Sequence, residues 1–143
     1  MILVTGEIER TTPFEKGFPL AKIIRDGELV PDPILDDQAL VVHLKGKGLV
    51  VISGCAHSGI INTVLYSRKI TSIEPVYAIL GGFHLTGPLF EPIIGDTIMA
   101  LMEIGPKVLV PMHCTGWKAI NRFSESFPNA FVLNSVGSKF VLS

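Results

Sequence analysis

Three of the four histidines in the chain share one local pattern: an apolar run, then a histidine, then a turn containing glycine or threonine. Val50-Val51-Ile52-Ser53-Gly54-Cys55-Ala56-His57 is the first, Val76-Tyr77-Ala78-Ile79-Leu80-Gly81-Gly82-Phe83-His84 the second and Val108-Leu109-Val110-Pro111-Met112-His113 the third. Neutral imidazole is a ligand for zinc and similar divalent ions, and three protein donors plus water is the usual catalytic arrangement. Taken singly, each histidine reads as a core or surface residue bonded to backbone. Taken together, His57, His84 and His113 form a candidate metal set, because their intervals of 27 and 29 residues match one strand–helix–strand unit. Successive units of that kind run parallel and right-handed, so all three should reach one edge of one sheet, where α/β proteins gather their sites.

The neighbouring residues add smaller expectations. Gly54, Gly59, Gly81, Gly82 and Gly116 flank the histidines, where tight turns need the absent Cβ. Ser58 and Thr115 occupy positions suited to helix N-caps. Cys55 and Cys114 lack a Cys-x-x-Cys spacing and are expected to face away from the site as small buried hydrophobes. Asp36, Asp37 and Asp96 are the carboxylates available to support or join the histidines. Phe83 and Trp117 fit a pocket wall or the core equally well. His43 lies inside an apolar strand and reads as structural.

The elements that must position these groups follow from the pattern. Residues 2–8 read as a short strand. A loop-like stretch from Glu9 to Pro33 carries six Pro and Gly residues and one possible strand, Leu20–Ile24. Ala39–Leu44 and Leu49–Ser53 form a hairpin through Lys45-Gly46-Lys47-Gly48. Apolar positions at 60, 61, 64 and 65 predict a helix over 58–69. A strand (76–80), a helix (92–104), a strand (107–110), a helix (116–127) and two closing strands (130–134 and 138–142) complete an α/β chain with one mixed sheet.

Composition bounds the function classes. The chain has 143 residues, one domain's worth, and a net charge of −1 with no basic block, which argues against nucleic acid and anionic membrane surfaces. No stretch approaches the roughly 20 apolar residues that span a bilayer. The first residues do not read as a signal peptide, and two cysteines fit a reducing compartment, so a cytoplasmic protein is expected. Apolar residues make up 48% and charged residues only 17%. That balance predicts an apolar surface covered by another chain.

Three segments carry a resemblance: Ser53-Gly54-Cys55-Ala56-His57-Ser58-Gly59-Ile60-Ile61-Asn62-Thr63, Gly81-Gly82-Phe83-His84-Leu85 and Pro111-Met112-His113-Cys114-Thr115-Gly116. In that order they resemble the metallo-β-lactamase-fold superfamily, in the branch related to dihydropterin-methyl–ribofuranosylaminobenzene 5′-phosphate synthase, described simply as metal-dependent hydrolases. Val4-Thr5-Gly6-Glu7-Ile8-Glu9-Arg10 and Leu35-Asp36-Asp37-Gln38-Ala39-Leu40 resemble the same branch. The resemblance implies that His57 ligates a first metal and His113 a second. It places His84 where most of the superfamily has a bridging aspartate. The ion would be zinc, with iron or manganese as alternatives, acting on a small anionic substrate by hydrolysis or by pterin-methyl transfer.

One departure limits what the chain can do. The superfamily's His-x-His-x-Asp-His is absent, and no His-x-His occurs at all. Residues 1–143 therefore resemble the C-terminal half of an αββα sandwich. Full activity is expected to require a complementary N-terminal half, and a homodimer with sheets face to face is the other way to cover the sheet. The alternatives are a non-catalytic binding or scaffold subunit that keeps half of the fold, and a fragment of a longer reading frame.

Overall fold

The computed structural model describes residues 1–142. Among these described residues seven strands and three α-helices form: β1 (Ile2–Val4), β2 (Lys22–Arg25), β3 (Glu28–Pro31), β4 (Ala39–Leu44), β5 (Gly48–Ser53), α1 (Ile60–Thr71), β6 (Val76–Gly82), α2 (Ile94–Ile104), β7 (Val108–Met112) and α3 (Trp117–Ser126). A single 3-10 turn, Glu91–Ile93, leads into α2. The main sheet has the order β1-β4-β5-β6-β7. Its first three strands are antiparallel, and β5, β6 and β7 are parallel.

Two crossovers in the same direction, β5-α1-β6 and β6-α2-β7, place α1 and α2 on the same face of the sheet. That face is the row Leu3–Val41–Val51–Ile79–Leu109 read across the strands. Against it pack Ile60, Ile61 and Val64 of α1, Ile98 and Leu101 of α2, and Ala119 and Phe123 of α3. The helices end where backbone geometry changes hand: Ser72 after α1 and Gly105 after α2 are left-handed and donate back to Arg68 and Leu101.

Several expectations are corrected. The first strand ends at Val4 rather than at residue 8, and Gly6 turns the chain with φ +66°. The loop-like stretch contains a complete hairpin, β2–β3, closed by Asp26-Gly27 with both residues at positive φ. This is the turn that matches strand twist best, and Asp-Gly is its usual signature. The two closing strands do not form. Phe131 makes one isolated bridge to Leu109 at the free edge of β7. A turn at Ser135–Ser138 then redirects the chain, and Phe140 and Leu142 lie across the opposite face of the sheet, on the cluster of Val50, Ala78, Leu80 and Val110. That hydrophobic cover replaces the ladder expected of the closing apolar segments.

The cover is partial. On the same face, Ile2, Val4, Leu40 and Ile52 of β1, β4 and β5 are 71, 58, 37 and 37% exposed. Apolar side chains thus line one half of the sheet's outer face in solvent.

Candidate metal centre

The parallel strands β5, β6 and β7 carry His57, His84 and His113 to one sheet edge, where His57 and His84 meet; the donor atom of His113 gathers with Cys55 and Cys114 and not with the other two imidazoles. The chain turns sharply after each strand. Ala56, His84 and His113 all have left-handed backbones, with φ of 57, 45 and 54°. Such values are uncommon for residues with a Cβ and cluster where surrounding structure imposes them.

His57 and His84 meet edge to face, their ring centroids 4.5 Å apart. Phe18 stacks on His57 at 5.6 Å, and Phe90 sets its ring against His84 at 4.5 Å. A cavity of about 170 Å³ opens beside the pair, with Lys16, Leu89 and Ile93 among its walls. Inside this aromatic enclosure His84 Nδ1 is buried and has no hydrogen-bond partner among the described residues. Buried polar atoms are rarely left so. Burial holds the His84 imidazole below its ordinary pKa of 6.5; the nearby charges of His57 and His113 push the same way, and Asp37 opposes them. A neutral imidazole with an open nitrogen is what a metal requires, so these residues fit a divalent ion.

His113 is exposed, and its Nε2 lies 3.1 Å from Cys55 Sγ. The cysteines therefore do not face away, as was expected. Cys55, His113 and Cys114 bring their donor atoms within 4.8 Å of one another. The physical reason is Gly82, at the end of the strand between them. A Cβ there would lie 2.8 Å from Cys114 Sγ and 3.1 Å from Cys55 Cα, so its absence opens the path across β6. Cys114 Sγ also donates to Cys55 O at 3.4 Å. Burial, with the neighbouring Cys55 adding, pushes the Cys114 thiol up to about 11.

The loop before β2 and α1 hold one another in place through two residues whose roles left no local trace in the sequence. Glu15, 5% exposed, accepts hydrogen bonds from the amides of Ile61 and Asn62 at 2.9 and 2.8 Å. It caps α1 from a distance of some 46 residues, the work expected of Ser58. Burial raises the Glu15 carboxyl above its ordinary 4.5, while the amides and Thr12 oppose that shift. Asn62 is fully buried; its Oδ1 accepts from the Thr11 and Thr12 amides, and its Nδ2 donates to the Ser58 and Glu15 carbonyls.

The remaining candidates sort cleanly. Ser58 donates its amide to Asp37 at 2.7 Å, and Thr115 bonds Met112 and Phe83 instead of capping α3, which starts after Gly116. Asp37 is the carboxylate placed near the histidines; Asp36 and Asp96 are exposed, Asp96 in the first turn of α2. Phe83 belongs to the core against Phe123, while Trp117 is 68% exposed. His43 sits half-buried in β4, opposite Leu49.

Comparison with known proteins gives a consistent set of likenesses. No family model matches the chain. Over 133 residues it is 41% identical to the 7,8-dihydropterin-6-methyl-4-(beta-D-ribofuranosyl)-aminobenzene-5'-phosphate synthase of Methanocaldococcus jannaschii, covering 91% of this chain and 45% of the synthase. A second, uncharacterized protein of that organism is 38% identical over 136 residues, covering 95% of this chain and 48% of the relative. The crystal structure of Tm1679, a metal-dependent hydrolase of the beta-lactamase superfamily, superposes with a TM-score of 0.84 and 31% identity. That likeness covers 99% of this chain and 54% of the hydrolase. The chain thus spans about half the length of these three relatives.

Proposed function

Because the chain is related in sequence and in fold to the metallo-β-lactamase superfamily, we propose that it is the C-terminal half of a metal-dependent hydrolase or group-transfer enzyme. The observation that carries this reading is the orphaned, buried Nδ1 of His84 beside His57. His57, His84 and His113 would hold a divalent ion, zinc or else iron or manganese. Such an ion supplies Lewis acidity, which serves hydrolysis and the transfer of a pterin-methyl group alike.

The chain's own residues do the positioning. Burial keeps His84 neutral and ready to donate its lone pair. Phe18 and Phe90 limit water around the imidazoles. Lys16, on the cavity wall, suits a small anionic substrate. Activity needs the polypeptide that carries His-x-His-x-Asp-His, whether it lies in the same chain or in another, and the exposed β1-β4-β5 surface is where that polypeptide, or a second copy, would pack.

The absence of His-x-His supports a second reading, a binding or scaffold subunit that keeps the fold without the chemistry. Metal analysis of the purified chain bears on both. We expect bound manganese, an ion that thiolates do not favour, at an occupancy that falls sharply in His84→Ala with the fold intact by circular dichroism. Equal occupancy in wild type and variant would remove the metal-centre reading and leave the scaffold.

A further inference from the structure

The two cysteines bring a donor chemistry that the three-histidine centre does not use. Cys55 follows β5, His113 and Cys114 follow β7, and the thiols meet over the end of β6. Their sulfurs and one imidazole nitrogen lie within 4.8 Å of one another, with His113 Nε2 3.1 Å from Cys55 Sγ. Donors bound to one tetrahedral zinc at about 2.0–2.3 Å would be separated by distances of this order.

Two features of the backbone favour the cluster. Gly82 leaves the room through which it forms: an added Cβ would come within 2.8 Å of Cys114 Sγ and 2.6 Å of Gly54 O. His113 takes a left-handed backbone, φ 54°, in the turn that carries its ring to Cys55. Left-handed backbone is uncommon in residues that carry a Cβ. The cluster is also open to solvent on the His113 side.

The geometry points to a second metal mode for this chain: a zinc site of two thiolates and one imidazole, Cys55, Cys114 and His113, with a fourth position left open. Sulfur donors select soft or borderline ions, so the site discriminates in favour of zinc and against manganese, which a nitrogen and oxygen set accepts. Each thiol releases its proton to solvent as the ion binds. His113 belongs to both donor sets, so a zinc held by the thiols takes that imidazole away from His57 and His84. This inference does not depend on the hydrolase reading.

X-ray absorption on the reduced chain loaded with one equivalent of zinc chloride tests it. The expected first shell holds two sulfurs at about 2.3 Å and nitrogen at about 2.0–2.1 Å. Cys55→Ser and Cys114→Ser should each remove sulfur from that shell and weaken zinc by about 10–100-fold, the range seen even when only a supporting group is lost. His57→Ala should leave the sulfur shell unchanged, which separates this site from the three-histidine centre. A wild-type shell of nitrogen and oxygen alone would overturn the proposal, and that result needs no variant to fold. Loss of sulfur in His57→Ala would also overturn it as an independent site.

Discussion

His84 is the residue on which the proposed metal centre turns. Its Nδ1 is buried without a partner, and its neighbours include two further imidazoles. A proton on that ring is disfavoured first by burial and then by His57 and His113. The sign for stability follows. The folded-state pKa lies below the ordinary 6.5, so the unfolded chain takes up the proton first as pH falls. The contribution of neutral His84 is intact above pH 6.5 and is lost as pH drops through the folded value. Histidine NMR titration should place His84 below 6.5, and His84→Gln should flatten the acid limb of the stability curve. A His84 that titrates at or above 6.5 would contradict the burial on which the site depends. The position of this histidine was readable from the sequence, because strand spacing alone brought it to the common edge. The thiol contact was not readable, since it depends on the empty space at Gly82, and residue type says nothing about what approaches a glycine.

At the scale of elements, the site loop and α1 are one unit joined by Asn62 and Glu15. Asn62 satisfies four backbone groups from inside the core. Replacing it with alanine leaves buried amides and carbonyls unpaired, at about 1–3 kcal/mol for each group that finds no water. Asn62→Ala should therefore lower stability by about 2–3 kcal/mol in urea unfolding. A loss under about 0.5 kcal/mol, the size of an ordinary surface change, would mean the loop is held elsewhere. Glu15 could not be foreseen. Its partners lie 46 and 47 residues away, and the local signal favoured Ser58 as the cap. The β4–β5 hairpin, α1, β6 and β7 were legible because their apolar periodicities are unambiguous and glycine or proline marks their ends. The final strands were not, since the apolar run Phe140-Val141-Leu142 suits a strand yet packs across the sheet through Phe140 and Leu142. Periodicity shows which side chains are buried; it does not show whether a backbone partner lies alongside.

For the whole molecule, the two faces of the sheet differ. One lies under three helices, and the other is covered by the C-terminal segment only over β5, β6 and β7. The composition expected an apolar surface, and the structure locates one at Ile2, Val4, Leu40 and Ile52. A stable interface buries about 800 Å² on each partner, so this strip would form part of a larger contact. Light scattering at low micromolar concentration should find the chain associated, and Leu40→Lys with Ile52→Lys should make it monomeric without loss of helix content. A wild-type monomer would set the argument aside. The chain corresponds to about half the length of the two Methanocaldococcus jannaschii relatives and of the hydrolase Tm1679.

The central proposal is that this chain carries metal ligands but not a complete catalytic centre. Hydrolysis of a generic phosphodiester, assayed with added zinc or manganese, tests it most directly. The chain would be assayed alone and then mixed with the complementary half of the Methanocaldococcus jannaschii synthase. We expect no turnover above the metal blank from the chain alone, and metal-dependent turnover from the mixture that disappears in His113→Ala. Robust turnover by the chain alone, abolished by His113→Ala, would contradict the claim and show that the ligands already present suffice.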